Sequence, residues 1–436
     1  MVMGLKRIRQ TAACLCFVLL TLLFLDFTGT LQGWFGWLAK IQFLPALLAL
    51  NAGVVVALVV MTLVCGRVYC SVICPLGVFQ DVVSRAGEKF KKNRFRYSPA
   101  LTWLRYGVLA LSVVLLAIGL FFWGGGVAAL TGWVGLLEPY SAYGRMVSNL
   151  LSPFYRWGNN FLAYLAERAD SYAFYGVAVW MKGLSVFLVA LLTFAVLAVL
   201  AWRNGRTYCN TVCPVGTLLG IISRYAWLKP VIDRSKCINC KLCERNCKAS
   251  CIQIKEHAID YSRCVSCMDC IAKCPKGAIR YAHVPVKLQG TAAKAGGKAD
   301  QGRRSFLTVS SLFAAGTWLK AQEKKVDGGL AVIEEKKIPK RNVHLKPAGA
   351  QSLRNFTSHC TACQLCVSVC PNDVLRPSSS LERWMQPEMS YERGYCRPEC
   401  VKCSEVCPAG AILPLTVAEN LPCKSAMPCS CMRIAW

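Results

Sequence analysis

Sixteen cysteines lie at spacings that suit metal ligation rather than disulfide pairing. Cys237, Cys240, Cys243 and Cys247 form a C-x2-C-x2-C-x3-C run, and Cys264, Cys267, Cys270 and Cys274 repeat it, with Pro275 after the last. Cys360, Cys363, Cys366 and Cys370 form a third run before Pro371, and Cys396, Cys400, Cys403 and Cys407 a fourth before Pro408. The fourth opens with an irregular x3 gap. In paired runs of this kind three thiolates wrap one iron–sulfur cubane and the fourth reaches across to the other. The expected ligand sets are therefore Cys237, Cys240, Cys243 with Cys274, and Cys264, Cys267, Cys270 with Cys247. By the same logic Cys360, Cys363, Cys366 join Cys407, and Cys396, Cys400, Cys403 join Cys370. Four [4Fe–4S] clusters are the expected cofactors. Zinc is the competing occupant, since thiolates also suit it, although structural zinc sites rarely use twin runs of this form. A disulfide scaffold belongs to small secreted domains and does not fit a chain of 436 residues with 27 Cys. Cys251 reads as a small buried thiol rather than a ligand. Cys423, Cys429 and Cys431 are one thiol short of a further cluster site. Lys248 stands where Pro usually follows the fourth cysteine, a change expected to affect the turn more than ligation.

A second pattern repeats inside the chain. Gly66-Arg67-Val68-Tyr69-Cys70 leads to Cys74-Pro75, and Gly205-Arg206-Thr207-Tyr208-Cys209 leads to Cys213-Pro214, 139 residues later. Cysteines four apart share a face if helical, and the proline then redirects the chain. Twofold repetition can bring Cys70, Cys74, Cys209 and Cys213 to one site. A shared metal or cluster, a redox dithiol pair and a structural turn all remain open. Arg67 and Arg206 are expected to face lipid headgroups, with an anionic quinone state as the alternative.

The elements that position these thiols are mostly apolar. The chain is 55% hydrophobic and 17% charged, with mean hydropathy +0.39, below the roughly 25% charge of soluble domains. Apolar segments at 11–28, 43–65, 104–123 and 183–202 approach the roughly 20 residues that span hydrocarbon as a helix. Each Cys-Pro motif follows an even-numbered span, so the membrane domain reads as two similar halves. The formal charge is +28. The basic residues form no single arm or face, which argues against nucleic acid, and many flank the apolar segments. Arg85, Arg94, Arg96 and Arg105 crowd the loop after the second span, whereas 124–182 is sparse in Lys and Arg and rich in Trp and Tyr. The retained-charge rule puts the N-terminus, the 66–103 loop and the segment after Trp202 in the cytoplasm and 124–182 outside, at the interface. A re-entrant or additional helix in 124–182 stays open. Only His257, His283, His344 and His359 occur and no C-x-x-C-H, so haem is not expected. No dinucleotide fingerprint is present either.

The fold class expected is mixed: an α-helical membrane domain of about four spans over 1–230, then two α+β two-cluster ferredoxin-like modules at 231–285 and 351–436. The linker 286–350 includes a Gly, Ala and Lys-rich stretch. It also holds Arg303-Arg304-Ser305-Phe306-Leu307 before an apolar run to Leu319. That run is short for a span and resembles a twin-arginine export signal. It predicts a periplasmic second module and a cytoplasmic first one.

On these motifs, residues 1–283 resemble NapH, the membrane ferredoxin-type quinol dehydrogenase component of nitrate-reductase systems, and are similar to the membrane part of NosR. Residues 303–415 resemble NapG, its exported partner. The resemblance implies a multi-pass protein of the bacterial inner membrane. It implies electron transfer between membrane quinol, or a cytoplasmic donor, and a periplasmic reductase or cytochrome. The layout is also similar to CcoG, which implies a copper reductase and assembly factor. A redox-sensing membrane regulator is a third reading.

Overall fold

The structure is a computed structural model that describes residues 2–88, 90, 95–121, 132–171, 173–283, 345–380, 383–392 and 394–418. The linker with its twin-arginine segment, and Cys423, Cys429 and Cys431, lie outside the described residues. The compact unit holds Met1–Val286 and His344–Trp436.

Among the described residues three helices are long and apolar enough to cross a membrane: Gly4–Leu25, Thr102–Gly119 and Leu184–Asn204. They match the expected segments at 11–28, 104–123 and 183–202. The segment 43–65 differs, because it is two helices, Phe43–Leu48 and Ala52–Cys65. Leu50 takes a left-handed backbone (φ 53°), and the Asn51 side chain accepts from Val54 N at 3.4 Å, starting a new helix there. Large apolar side chains stay exposed along these helices, among them Leu15, Val56, Val60, Leu111, Leu188, Leu192 and Val199. An exposed apolar surface of this extent marks contact with something other than water.

The 124–182 region is more built than an interfacial loop. Helices Pro139–Met146 and Ser152–Arg168 join through a π-turn, Val147–Leu151. Tyr140, Tyr143, Met146 and Val147 of this segment are buried in the same core as Leu20, Leu23 and Phe24 of the first helix. Phe24 stacks on Tyr140 with ring centroids 5.4 Å apart. Farther along, Phe154, Trp157, Phe161 and Leu165 stay exposed.

The first Cys-rich module is held by two small antiparallel pairs. Leu228–Ile232 runs against Ile279–His283, with Ile232 opposite Ile279, and Ile252–Gln253 pairs Ala258–Ile259. Ile232, Ile252, Ile254, Ile259, Ile271 and Ile279 make its core together with Cys243, Cys247 and Cys270. Among the described residues the second module has one pair, Leu375–Pro377 against Pro387–Met389. Its core residues Phe356, Leu365 and Val367 are continuous with the core of the helices.

The two modules sit at opposite ends of the same helices. On Val2–Leu25, Lys6 Nζ pairs with Asp269 of the first module at 2.9 Å. Just past the other end, Thr28 O accepts from Lys402 Nζ of the second at 2.6 Å. On Leu184–Asn204, Val186 packs with Ala362 and Met385 of the second module. After its far end, Arg206 N donates to Lys248 O of the first at 2.9 Å. Cys65 O, ending Ala52–Cys65, accepts from Ser266 and Tyr281 of the first module. Ala49, before that helix, lies against Gly410 of the second. Val2–Leu25 has 24 residues, about 36 Å at 1.5 Å per residue, which exceeds the roughly 30 Å of a hydrocarbon core.

Candidate electron-transfer sites

Four cavities are each lined by four of the motif cysteines. Cys237, Cys240, Cys243 and Cys274 line one; Cys247, Cys264, Cys267 and Cys270 line another, joined by Cys251. In the second module Cys360, Cys363, Cys366 and Cys407 line the third, and Cys370, Cys396, Cys400 and Cys403 the fourth. In each case three neighbouring thiols meet one from the partner run.

The backbone of these loops shows what they are shaped to hold. In the first three loops the residues on either side of the second cysteine are both left-handed: Asn239 and Lys241, Ser266 and Met268, Ala362 and Gln364. A non-glycine residue there costs about 1 kcal/mol or more, yet the conformation recurs at equivalent positions three times. It curls the loop so that its three thiols face one cavity. The Cys396–Cys403 loop lacks the pattern, as its extra spacer residue requires. Among the described residues no three Cys, His, Asp or Glu converge closely enough for a single ion. Four thiols around one cavity are the donor set of a [4Fe–4S] group. Backbone amides add to the fit, since Ala278 N donates to Cys274 Sγ at 3.3 Å.

Cys251 is more than a small filler. Its sulfur lies 3.5 Å from Cys247 Sγ. The shared hydrogen bond lowers the Cys247 thiol and raises that of Cys251, which keeps its proton.

Cys70, Cys74, Cys209 and Cys213 are all buried and close enough to act on one another electrostatically. Tyr69–Val72 and Thr207–Thr211 are short helices that stop before the motif prolines, which open Pro75–Glu88 and Pro214–Ser223. Gly66 and Gly205 precede each motif at φ 71° and 70°. A β-carbon on Gly205 would also meet Lys248 O at 2.5 Å. The repeats interlock reciprocally. Arg67 Nη2 donates to Cys209 O at 3.2 Å, and Arg206 Nη1 to Cys70 O at 2.6 Å. Gly77 and Gly216 leave room for this, because a β-carbon there would lie 2.2 Å and 2.4 Å from those same carbonyls.

The two arginines do not face headgroups. Both are fully buried. Arg67 reaches Cys70 Sγ at 3.8 Å, Asn210 at 3.0 Å and Ser262 O at 3.1 Å. Arg206 forms a two-pronged pair with Asp81, Nε and Nη2 each 2.8 Å from a carboxylate oxygen. Such pairing is what makes a buried guanidinium tolerable. Burial alone would raise the Asp81 carboxyl, but Arg206 and Lys248 outweigh it and hold it far below the usual carboxylate range. Lys248 is buried and reaches Asp269 at 3.1 Å and Asp81 at 3.8 Å. In place of a turn proline it supplies a charge that ties the first module to the helices.

Sequence reasoning missed Gln80, Asp81 and the Glu138–Asn149 segment. Gln80 Nε2 donates to Cys209 Sγ at 3.4 Å. Tyr208 Oη donates to Leu137 O at 2.7 Å, and Arg145 links Gly135 O, Leu136 O and Ala362 O at 3.1, 3.0 and 3.4 Å. Asn149 donates to Gln364 at 2.9 Å. Arg67 thus links Cys70 Sγ to Ser262 O of the first module, and on the other side Arg145 joins the Gly135 and Leu136 carbonyls, next to the Leu137 O that Tyr208 bonds, to Ala362 O beside Cys363. The only signal was polar residues within apolar surroundings.

A 4Fe-4S binding domain family matches residues 47–94 and again 186–235, covering both Cys-Pro motifs. A 4Fe-4S dicluster domain matches 236–278 and another 4Fe-4S binding domain 356–376. An uncharacterized protein of Methanocaldococcus jannaschii is 37% identical over 73 residues, 16% of this chain and 30% of that protein. The putative electron transport protein YccM of Escherichia coli is 23% identical over 208 residues, 47% of each chain. The methylamine utilization ferredoxin-type protein MauN of Paracoccus denitrificans is 27% identical over 190 residues, 42% of this chain and 49% of MauN. The chain thus spans less than half the length of each of these relatives. No solved structure matches. Matches to ferredoxin-type 4Fe-4S domains thus lie beside helices able to cross a membrane, and the relatives named above include an electron transport protein and a ferredoxin-type protein.

Proposed function

We propose that the chain carries electrons across a membrane, from quinol or a soluble donor on one face to a reductase or cytochrome on the other, as a NapH/NapG-like fusion would. The observation that carries this reading is the pair of Cys-rich modules at opposite ends of the same helices, with Arg67 joining the Cys70 thiol to Ser262 of the first. Four [4Fe–4S] groups, one per cradle, would supply one-electron carriers in series. The ligands are the crossed sets: Cys237, Cys240, Cys243, Cys274; Cys247, Cys264, Cys267, Cys270; Cys360, Cys363, Cys366, Cys407; Cys370, Cys396, Cys400, Cys403.

The chain's own residues set the conditions between the cradles. Arg67 and Arg206 place two fixed positive charges beside Cys70 and Cys209, favouring thiolate or added negative charge there. The surrounding core excludes water from those thiols. Asp81, Lys248 and Asp269 keep the first module seated, so that the Cys264 loop and Cys70 stay in register. The test is vesicle reconstitution: dithionite outside should reduce ferricyanide sealed inside only when the protein is present. No transfer, with iron content intact, would refute the relay.

The four buried thiols also favour a second reading, a copper reductase of the CcoG type. Stoichiometric Cu(I) binding that is lost on replacing Cys70, Cys74, Cys209 and Cys213 would select it.

A further inference from the structure

The first and second cradles of the 231–285 module are differently exposed. The Cys247–Cys270 cradle faces the helices, where Ser266 and Tyr281 bond to Cys65 O. The cavity of Cys237, Cys240, Cys243 and Cys274 is lined only by residues 232–279 of its own module. Cys240 is exposed, and beside it Ile238 and Leu242 are 59% and 37% exposed. Around this small apolar centre stand the exposed Arg234, Lys236, Lys241, Arg245, Lys273 and Lys276. The two nearby acids are occupied: Asp233 accepts from Ser235 N at 3.1 Å, and Glu244 from Tyr97 N at 3.3 Å. At the corresponding edge of the second module Glu399 and Glu405 stand exposed beside Arg397, while Glu392 is paired with Arg376.

We propose that the surface around Cys240 is the docking site of an acidic, soluble protein that carries single electrons. This rests on the electron-relay reading and names the partner class at its entry. An apolar centre over a redox group, rimmed by one sign of charge, is how such encounters are steered and oriented. Charge complementarity selects an acidic partner here. Ile238 and Leu242 would be covered on docking, bringing the partner's carrier over the Cys240 loop. The footprint is small, in keeping with the size class of transient redox encounters.

The probe is flavodoxin, an acidic one-electron carrier, titrated against the whole protein in nanodiscs of zwitterionic lipid. Binding is followed by surface plasmon resonance across ionic strength. The variant is the triple Lys236→Glu, Lys273→Glu, Lys276→Glu; none of these residues is a cluster ligand. The expected results are salt-weakened binding and a loss of about tenfold or more in affinity in the variant, with a flattened salt dependence. Iron content and the dithionite-reduced spectrum should be unchanged. The triple Lys→Gln variant should fall between, which separates charge from misfolding. Flavodoxin binding that ignores both salt and charge reversal would overturn the proposal. So would a patch that binds only anionic vesicles and no flavodoxin, which would make it a headgroup site. Salt-sensitive docking lost in the variant, but without electrons reaching the second module, would instead overturn the relay and leave this surface assigned.

Discussion

At the scale of single residues, cluster ligation and cluster tuning can be told apart at Cys251. Its sulfur lies 3.5 Å from that of Cys247, and with Cys247 ligating as a thiolate, as proposed, only Cys251 has a proton to donate. A donor to ligand sulfur stabilises the more negative, reduced state and so raises the potential. Cys251→Ala should therefore lower the midpoint of that cluster while leaving iron content near four clusters' worth, about sixteen atoms. A net hydrogen bond of about 1 kcal/mol corresponds to about 40 mV for one electron. Redox titration followed by EPR reads this directly. Loss of iron would make Cys251 a ligand instead. Cys247→Ala is the contrast, expected to lose iron. The grouping of the sixteen motif cysteines around four cavities is legible in their spacing, because the short spacers oblige three thiols to turn the same way. Spacing could not place Cys251, since its role depends on which neighbour its hydrogen meets.

At the scale of elements, the buried charges decide how the first module is held. Asp81, on Pro75–Glu88, faces Arg206 at 2.8 Å, Arg9 at 3.7 Å and Lys248 at 3.8 Å. Asp81→Ala would leave these cations buried without it, a loss of about 3–5 kcal/mol. Hydrogen exchange over 228–283 should then rise several-fold relative to 52–65, whose packing is apolar. An unchanged exchange pattern would show that the docking is carried by backbone contacts alone. The sign of the pH dependence follows from the same carboxyl. Its folded value is depressed, so its stabilisation is present above the ordinary aspartate range and is lost only as pH falls below it. Exchange over 228–283 should thus be as protected at pH 5 as at pH 7. These contacts explain where sequence reading stopped. Hydropathy found the long helices but not the break at Leu50, which turns on one residue's backbone conformation. Arg67 and Arg206 look like headgroup anchors in sequence, because their burial depends on partners 143 and 125 positions away, Asn210 and Asp81. The 124–182 segment reads as interfacial by its aromatics. Gly135 and Gly144, which admit the backbone of Thr361 and Cys363, turn it into the seat of the second module.

At the scale of the whole molecule, the placement of the modules bears on sidedness. The end of the helices that meets the first module carries Lys6, Arg7 and Arg9, and Arg85 lies nearby on Pro75–Glu88. That density of retained charge is expected on the cytoplasmic side. The end that meets the second module has Asp26 and Thr28 instead, and Thr28 O takes the Lys402 ammonium. An exposed apolar band lies between the two ends. If that band sits in lipid, residues 233–283 face the cytoplasm and 352–415 the periplasm. Lys and Arg between 320 and 346 run against this by simple count. A domain exported already folded, however, crosses regardless of its charge, and Arg303-Arg304 resembles a signal of that kind. In intact spheroplasts, protease and an impermeant thiol label should reach 352–415 and spare 233–283. Replacing Arg303 and Arg304 together with Lys should trap the second module inside, abolish transfer to an external acceptor, and leave cluster binding by 233–283 intact. A second module shielded in spheroplasts that still expose 124–182 would separate two surfaces that pack together through Arg145, Asn149 and Gly144. That outcome would refute the trans-membrane arrangement and make the protein a relay confined to the cytoplasmic face.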